Sequence, residues 1–341
     1  MLAGAATQQQ QQQQQQVLDV PLPPQGYDYK AAILDETVDV VSQQYPQLMD
    51  LVEQGNLVVY RRPASYRERR VDGYREPELV FMLGTAHVSQ ASAAEVSRVV
   101  EAVQPHGSSF VGAVTRSAQL GGQSGLLLRL LIAGGARKAA DQLGVLPGAE
   151  FRAAARAADA AGASLVLGDR PIEITLERAW NALPWQRRLR LLGDLLLASL
   201  APKAEELTAE DVERFRSDDT ISQFFDQLSS SYPELIAPLI AERDLYLAWS
   251  MKRSKAVNGS RAVVGVVGKG HLRGLVYALK HDQSSLRFAD LVGGKNRKKS
   301  KAEAAAALGR RVLVEVAVGA GLYAAWLAVT QPEAISSLLP H

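Results

Sequence analysis

Two turns carry most of the chemistry this chain could perform. The run LVFMLGTAHVS at 79–89 breaks from apolar residues into Gly84, three positions before His87, and AVVGVVGKGH at 262–271 repeats the pattern with Gly268 and His271. In each, an apolar run ends in G-x-x-H and a helical pattern follows, so each histidine is expected at the carboxyl end of a strand, where open α/β sheets build their sites. Glycine three residues earlier lets the backbone turn so that the ring projects into the cleft. Neutral imidazole is the commonest side-chain metal ligand, and two histidines joined by carboxylates and water suit zinc, manganese or cobalt. Such an ion would lower the pKa of its bound water and polarise a carbonyl. His87 and His271 are the expected ligands, with Gly84 and Gly268 as the cofactor-binding turn residues. A lone histidine at a strand end is more often structural, and it is the duplication that points to a site.

A third strand end adds charge. SLVL at 164–167 reads as a strand leading into Gly168-Asp169-Arg170-Pro171. Asp169 and Arg170 are either site residues or local ones, Asp169 capping the next helix and Arg170 pairing nearby. Glu242-Arg243-Asp244 falls on a helix expected over 233–256. Asp169 or Glu242 is the expected assistant to the histidines, while Arg170, Arg178 and Arg243 read equally as catalytic groups or as ordinary ion pairs.

The elements that must position these residues follow from periodicity. Apolar residues at helical spacing from Val38 to Leu51 give a helix closed by Gly55, and 56–60 gives a short strand. The charged stretch 61–76 reads as a solvated loop. Val96, Val99, Val100 and Val103 share one helix face until Pro105 stops it. An alternating α/β pattern then calls for a parallel strand and a carboxylate partner for His87, but HGSSFVGAV at 106–114 offers at most a short strand with no acid. The apolar run 126–132 reads as a buried helix, and 148–161 is Ala-rich and helical. From about 175 to 256 every signal is helical, including a capping-box pattern at Thr208 and Asp211, so this block reads as a helical insertion.

Composition bounds the rest. Lys+Arg 38 against Asp+Glu 36 gives no electrostatic argument for nucleic acid, and the absence of cysteine excludes disulfides, thiolate metal sites and a cysteine nucleophile. The chain divides into a Gln-rich segment at 1–34 expected to be disordered, a domain at 35–290, a basic linker at 291–311 with KNRKKSK at 295–301, and an apolar segment at 312–330. That last segment is long enough to span a bilayer, with Glu315 near enough to one end to snorkel. A tail anchor in an organelle membrane is expected, with the domain facing the cytosol; the basic flank suits a mitochondrial or plastid outer membrane.

Together, GTAHVS at 84–89, GDRPIEITLERAW at 168–180, ERDLYLA at 242–248 and VVGKGHLRGL at 266–275 resemble the TraB family, which includes PrgY, GumN and the TIKI metalloproteases. The resemblance implies a two-half α/β sheet of the TraB/ChaN-like, erythromycin-esterase-related kind with flanking helices. It also implies a divalent-metal site on His87 and His271, which in the TIKI branch cleaves peptides. A metal-dependent hydrolase with a peptide or protein substrate is the expected activity, and a non-catalytic membrane adaptor is the alternative. One departure stands out. Family members follow the first helix with a proline, an apolar strand and a Glu-Leu-x-x-x-Arg motif. Here a strand and its acid are missing near 105–109, so either coding sequence is skipped or the chain has lost part of its site.

Overall fold

The computed structural model describes residues 18, 20–64, 73–85, 90–105, 149–200, 227–281 and 286–292. Asp28 starts α1 (Tyr29–Gln44): its carboxylate accepts the backbone N–H of Lys30 at 3.0 Å and of Ala31 at 3.1 Å, satisfying two of the amides that a helix start leaves unpaired. The helix turns Ile33, Thr37, Val40 and Val41 inward. Thr37 ties it to the sheet, its hydroxyl donating to the Ile33 carbonyl at 2.8 Å and accepting the Val59 amide at 3.0 Å. After α2 (Met49–Glu53), Gly55 takes φ +67°, a left-handed turn that glycine adopts without strain, and the chain enters β1 (Leu57–Arg61).

β1 runs antiparallel to β2 (Leu79–Thr85), and β2 runs parallel to β3 (Ala262–Gly268), giving the order β1-β2-β3. Between β2 and β3 come α3 (Gln90–Val103), α4 (Ala149–Ala160), α5 (Ile172–Ala182), α6 (Trp185–Leu200) and α7 (Glu242–Arg253); α8 (Leu272–Lys280) and α9 (Phe288–Leu291) follow. β2 is buried along its whole length, and residue parity assigns its two faces. Leu79, Phe81 and Leu83 join Val96, Val99 and Val100 of α3 and Ala153 and Ala157 of α4 in one core. Val80 and Met82 join Ala248 and Met251 of α7 and Leu272 and Leu275 of α8 in another.

Several expectations change. The expected disordered segment gives way to structure before residue 34: α1 begins at Tyr29, Val20 packs against Ala241, Leu245, Trp249 and Leu291, and Arg273 donates to the Pro24 carbonyl at 2.6 Å. Val20 finds an apolar partner surface that composition alone does not show. The strand expected at 164–167 is not a strand: among the described residues the sheet holds only β1, β2 and β3. The charged stretch 61–76 is not all solvated, since Glu76 is buried against Lys252 at 3.5 Å and Arg253 at 3.2 Å. The helix expected from 233 begins as a 3₁₀ turn (Pro233–Leu235) and a π turn (Ala237–Ala241) before α7, which stops at Arg253.

The missing strand near 105–109, the helices at 126–132 and 208–216, the basic linker and the apolar segment 312–330 lie outside the described residues. Among the described residues no helix is long and apolar enough to cross a membrane. The three-stranded sheet and its helices therefore give a mixed, helix-rich α/β fold.

Candidate functional site

β3 ends at Gly268, a single turn (Lys269–His271) carries the histidine, and α8 starts at Leu272. His271 Nδ1 lies 2.5 Å from Asp244 Oδ1, and the Asp244 side chain is 6% exposed. With Nδ1 engaged by the carboxylate, Nε2 is the ring nitrogen left for chemistry. Burial pushes the Asp244 carboxyl above its ordinary value of 3.8, against the opposing pull of His271. Two glycines make this approach feasible. A Cβ on Gly274 would fall 1.8 Å from Asp244 Oδ2, and a Cβ on Gly84 would fall 2.6 Å from Leu272 Cδ1 and 3.2 Å from the Lys269 Cα. Gly84 thus lets the His271 turn close onto the end of β2.

Beside that couple sits an ion pair. Arg243 grips Asp169 in a fork, Nη2 to Oδ2 at 2.6 Å and Nε to Oδ1 at 3.3 Å. Asp169 therefore does not cap the next helix: the N-cap of α5 is Pro171, with no side-chain bond. Asp169, Arg243 and His271 all border one cavity of about 420 Å³, whose walls are mostly aliphatic, among them Leu165, Leu247, Met251 and Val266.

One residue along from Asp169 and one residue back from Arg243, the arrangement closes. Arg170 is buried and fully bonded inward: Nη1 to Glu242 Oε2 at 2.5 Å and to the Leu291 carbonyl at 3.1 Å, Nη2 to the Pro238 carbonyl at 2.6 Å, and Nε to Thr175 Oγ1 at 3.0 Å. Arg178 adds a second guanidinium on Glu242, Nη2 to Oε1 at 2.7 Å with Nε on Oε2. Burial draws the Glu242 carboxyl upward, but hydrogen bonds from Arg178 and Arg170 outweigh it and hold the pKa below 4.5. Burial pulls the Arg170 guanidinium down, and Glu242 opposes that shift. The local pairing expected for Arg170 is replaced by a partner 72 residues away.

Of the residues singled out from sequence, Asp169, Arg243, His271 and Gly268 therefore meet at the cavity, whereas Arg170 and Glu242 meet in the interior. Gly84 stands at the junction of β2 with the His271 turn. His87 lies outside the described residues. Asp244 is named from sequence only within Glu242-Arg243-Asp244, with no role, and Gly274 is not singled out within its motif. Their signal was an acid directly after Arg243 in a helix whose inward residues include Leu247, Ala248 and Met251, and a glycine three residues past His271. Among the described residues no group of three or more histidine, aspartate or glutamate side chains could hold a metal ion.

Residues 135–284 match the model of the TraB/PrgY/gumN family. The chain is 29% identical over 287 residues to a TraB domain-containing protein of Bos taurus, covering 70% of this chain and 74% of that protein. The Homo sapiens TraB domain-containing protein is 29% identical over 291 residues, covering 70% and 75%. An uncharacterized protein of Methanocaldococcus jannaschii is 27% identical over 240 residues, covering 65% and 59%. No solved structure matches. The matched family region contains the GDRP, ERD and GKGH motifs, whereas the GTAHVS turn lies before it. Three of the four motifs lie inside that region and two of these relatives carry the same domain name, so residues 135–284 are similar to the TraB/PrgY/gumN family.

Proposed function

We propose that this chain is a hydrolase that works at the mouth of the cavity, with His271 touching the substrate and Asp244 positioning it. The observation that carries this reading is the 2.5 Å contact between His271 Nδ1 and Asp244 Oδ1 beside that cavity. A carboxylate on Nδ1 fixes the tautomer and ring orientation, leaving the Nε2 lone pair to take a proton from water or to hold a divalent ion. The donor set fits zinc, manganese or cobalt only in part. His271 supplies one oriented imidazole, Asp169 is held by Arg243, and the described residues complete no metal centre. A bound ion would lower the pKa of its water. The aliphatic walls favour an uncharged, extended substrate such as a peptide over a nucleotide.

The test uses the full chain, freed of metal and then supplied separately with zinc, manganese and cobalt, against a fluorogenic peptide library. Turnover should appear with at least one ion, and Asp244→Asn should lower it by about 10²-fold or more. No turnover under any condition would replace this reading with the non-catalytic adaptor. The proposed attachment to an organelle membrane through 312–330 rests on the sequence alone. A chain lacking 312–341 that still pelleted with membranes would sink it.

A further inference from the structure

The His271–Asp244 couple touches two spaces. His271 borders the cavity of about 420 Å³, whereas Asp244 borders a gap of about 10 Å³ that it shares with Val20, Pro21, Pro23, Leu245 and Gly274. Segment 20–24, remote in sequence, therefore lies against the acid of the couple. It is held there at several points. Val20 is buried in the apolar cluster with Ala241, Leu245, Trp249 and Leu291, and Arg273 of α8 donates to the Pro24 carbonyl at 2.6 Å. Just beyond, Tyr27 meets Tyr277 of α8 edge-on, with ring centroids 5.2 Å apart. Prolines at 21, 23 and 24 fix φ and lack an N–H, so the segment has fewer donors to satisfy and less chain entropy to lose on seating.

We propose that segment 20–24 is a positioning strap for the site: seated, it shields Asp244 and keeps the carboxylate on His271, and lifted, it admits water to Asp244 and frees the imidazole at the cavity mouth. The chemistry of the gap carries this. Apart from Asp244 itself, the side chains around it are aliphatic or absent, so none of them donates a hydrogen bond to the carboxylate. A space of this size is at the lower limit for one water, which also needs at least two polar partners to stay. With water kept off, the 2.5 Å contact from Asp244 Oδ1 to His271 Nδ1 lies in a low-dielectric setting, where a hydrogen bond to a carboxylate is strengthened. The strap acts on Asp244, Asp244 acts on His271, and His271 faces the cavity. This inference concerns the couple itself and rests on the hydrolase reading only for its effect on turnover.

The test is made by NMR on the full, metal-free chain with nitrogen-15 in its histidines. The Nδ1–H proton of His271, identified by its absence in His271→Gln, should resonate far downfield and exchange slowly with water. Val20→Asn removes the apolar seat of the strap, and Arg273→Ala removes the clasp on the Pro24 carbonyl. Each should speed that exchange by about tenfold or more. Leu291→Ala is the control, since it loosens the same apolar cluster without bordering the gap, and it should leave the exchange rate in place. Should Val20→Asn fail to fold, Arg273→Ala decides alone. Unchanged exchange in the strap variants, equal acceleration by Leu291→Ala, or no protected Nδ1–H resonance in the natural chain would overturn the proposal. In the peptide assay the strap variants should also lower turnover by about tenfold. A chain without any turnover would remove the hydrolase reading and leave the exchange result to stand or fall by itself.

Discussion

Arg170 and Asp169 are neighbours in sequence, as are Glu242 and Arg243, yet the two ion pairs they form live in different physical environments. In the Arg170–Glu242 pair the side chains are 0% and 2% exposed, and Arg178, Thr175 and two backbone carbonyls use up the remaining polar atoms. In the Arg243–Asp169 pair the side chains are 25% and 44% exposed, at the rim of the cavity and beside the His271–Asp244 couple. The first arrangement is saturated and can offer nothing to a ligand. Its role is to hold α5, the π turn, α7 and α9 together. The second keeps polar atoms near open space, and it is there that chemistry can occur. Motif membership therefore does not separate architecture from site, since each motif supplies one residue to each.

The largest effect that would test this contrast is loss of the buried acid. Glu242→Ala leaves Arg170 charged and enclosed, and should destabilise the fold by about 3–5 kcal/mol in urea unfolding. Should it cost no more than Asp169→Ala, the distinction between closed and open pairs collapses. Next comes Gly274→Ala, whose new methyl would overlap the Asp244 carboxylate, 1.8 Å from Oδ2. It should cost about 1–3 kcal/mol through overpacking, and should also depress turnover by displacing Asp244 from His271. A loss of stability without any change in a measured activity would detach the couple from the chemistry.

Acid provides a graded comparison. Glu242 has its folded pKa held below 4.5, so its stabilisation is present above that value and is lost as pH falls through the folded pKa. Asp244 has the opposite sign. Its folded pKa is raised above 3.8, so its contribution is present below 3.8 and is lost as pH rises through the folded value. The stability difference between the natural chain and Glu242→Gln should therefore shrink below about pH 4.5, while the difference from Asp244→Asn should grow in favour of the variant as pH rises from about 4. Unfolding midpoints measured across pH 3 to 7 would expose either sign as wrong. The smallest effect belongs to the open pair: a double-mutant cycle on Asp169 and Arg243 should give a coupling of only about 0.2–1 kcal/mol, because solvent screens both partners.

Much of the framework was legible beforehand for local reasons. The seven-residue apolar run of β2 lacks alternation because both of its faces are covered, and that signal needs no long-range knowledge. Gly55 and Pro105 mark helix limits through backbone chemistry that acts within a few residues. The run at 164–167 misled for the converse reason. Its valine and leucines fit a strand, but a strand exists only where another lies beside it, and β3 stays across the cavity. Asp244 was hidden because a buried acid in a helix looks like any surface acid until its partner, 27 residues on, is folded against it.

The sequence by itself determined the α/β character, the placement of His271 at the end of a strand, and the resemblance to the TraB family, because periodicity, turn residues and motif order are properties of neighbouring positions. The tertiary structure alone decided which charges are sealed in and which face the cavity. It decided as well that His271 is oriented by Asp244. Burial and hydrogen-bond partners come from segments far apart in the chain, and a carboxylate or a strand edge acquires its chemistry from whatever is packed against it.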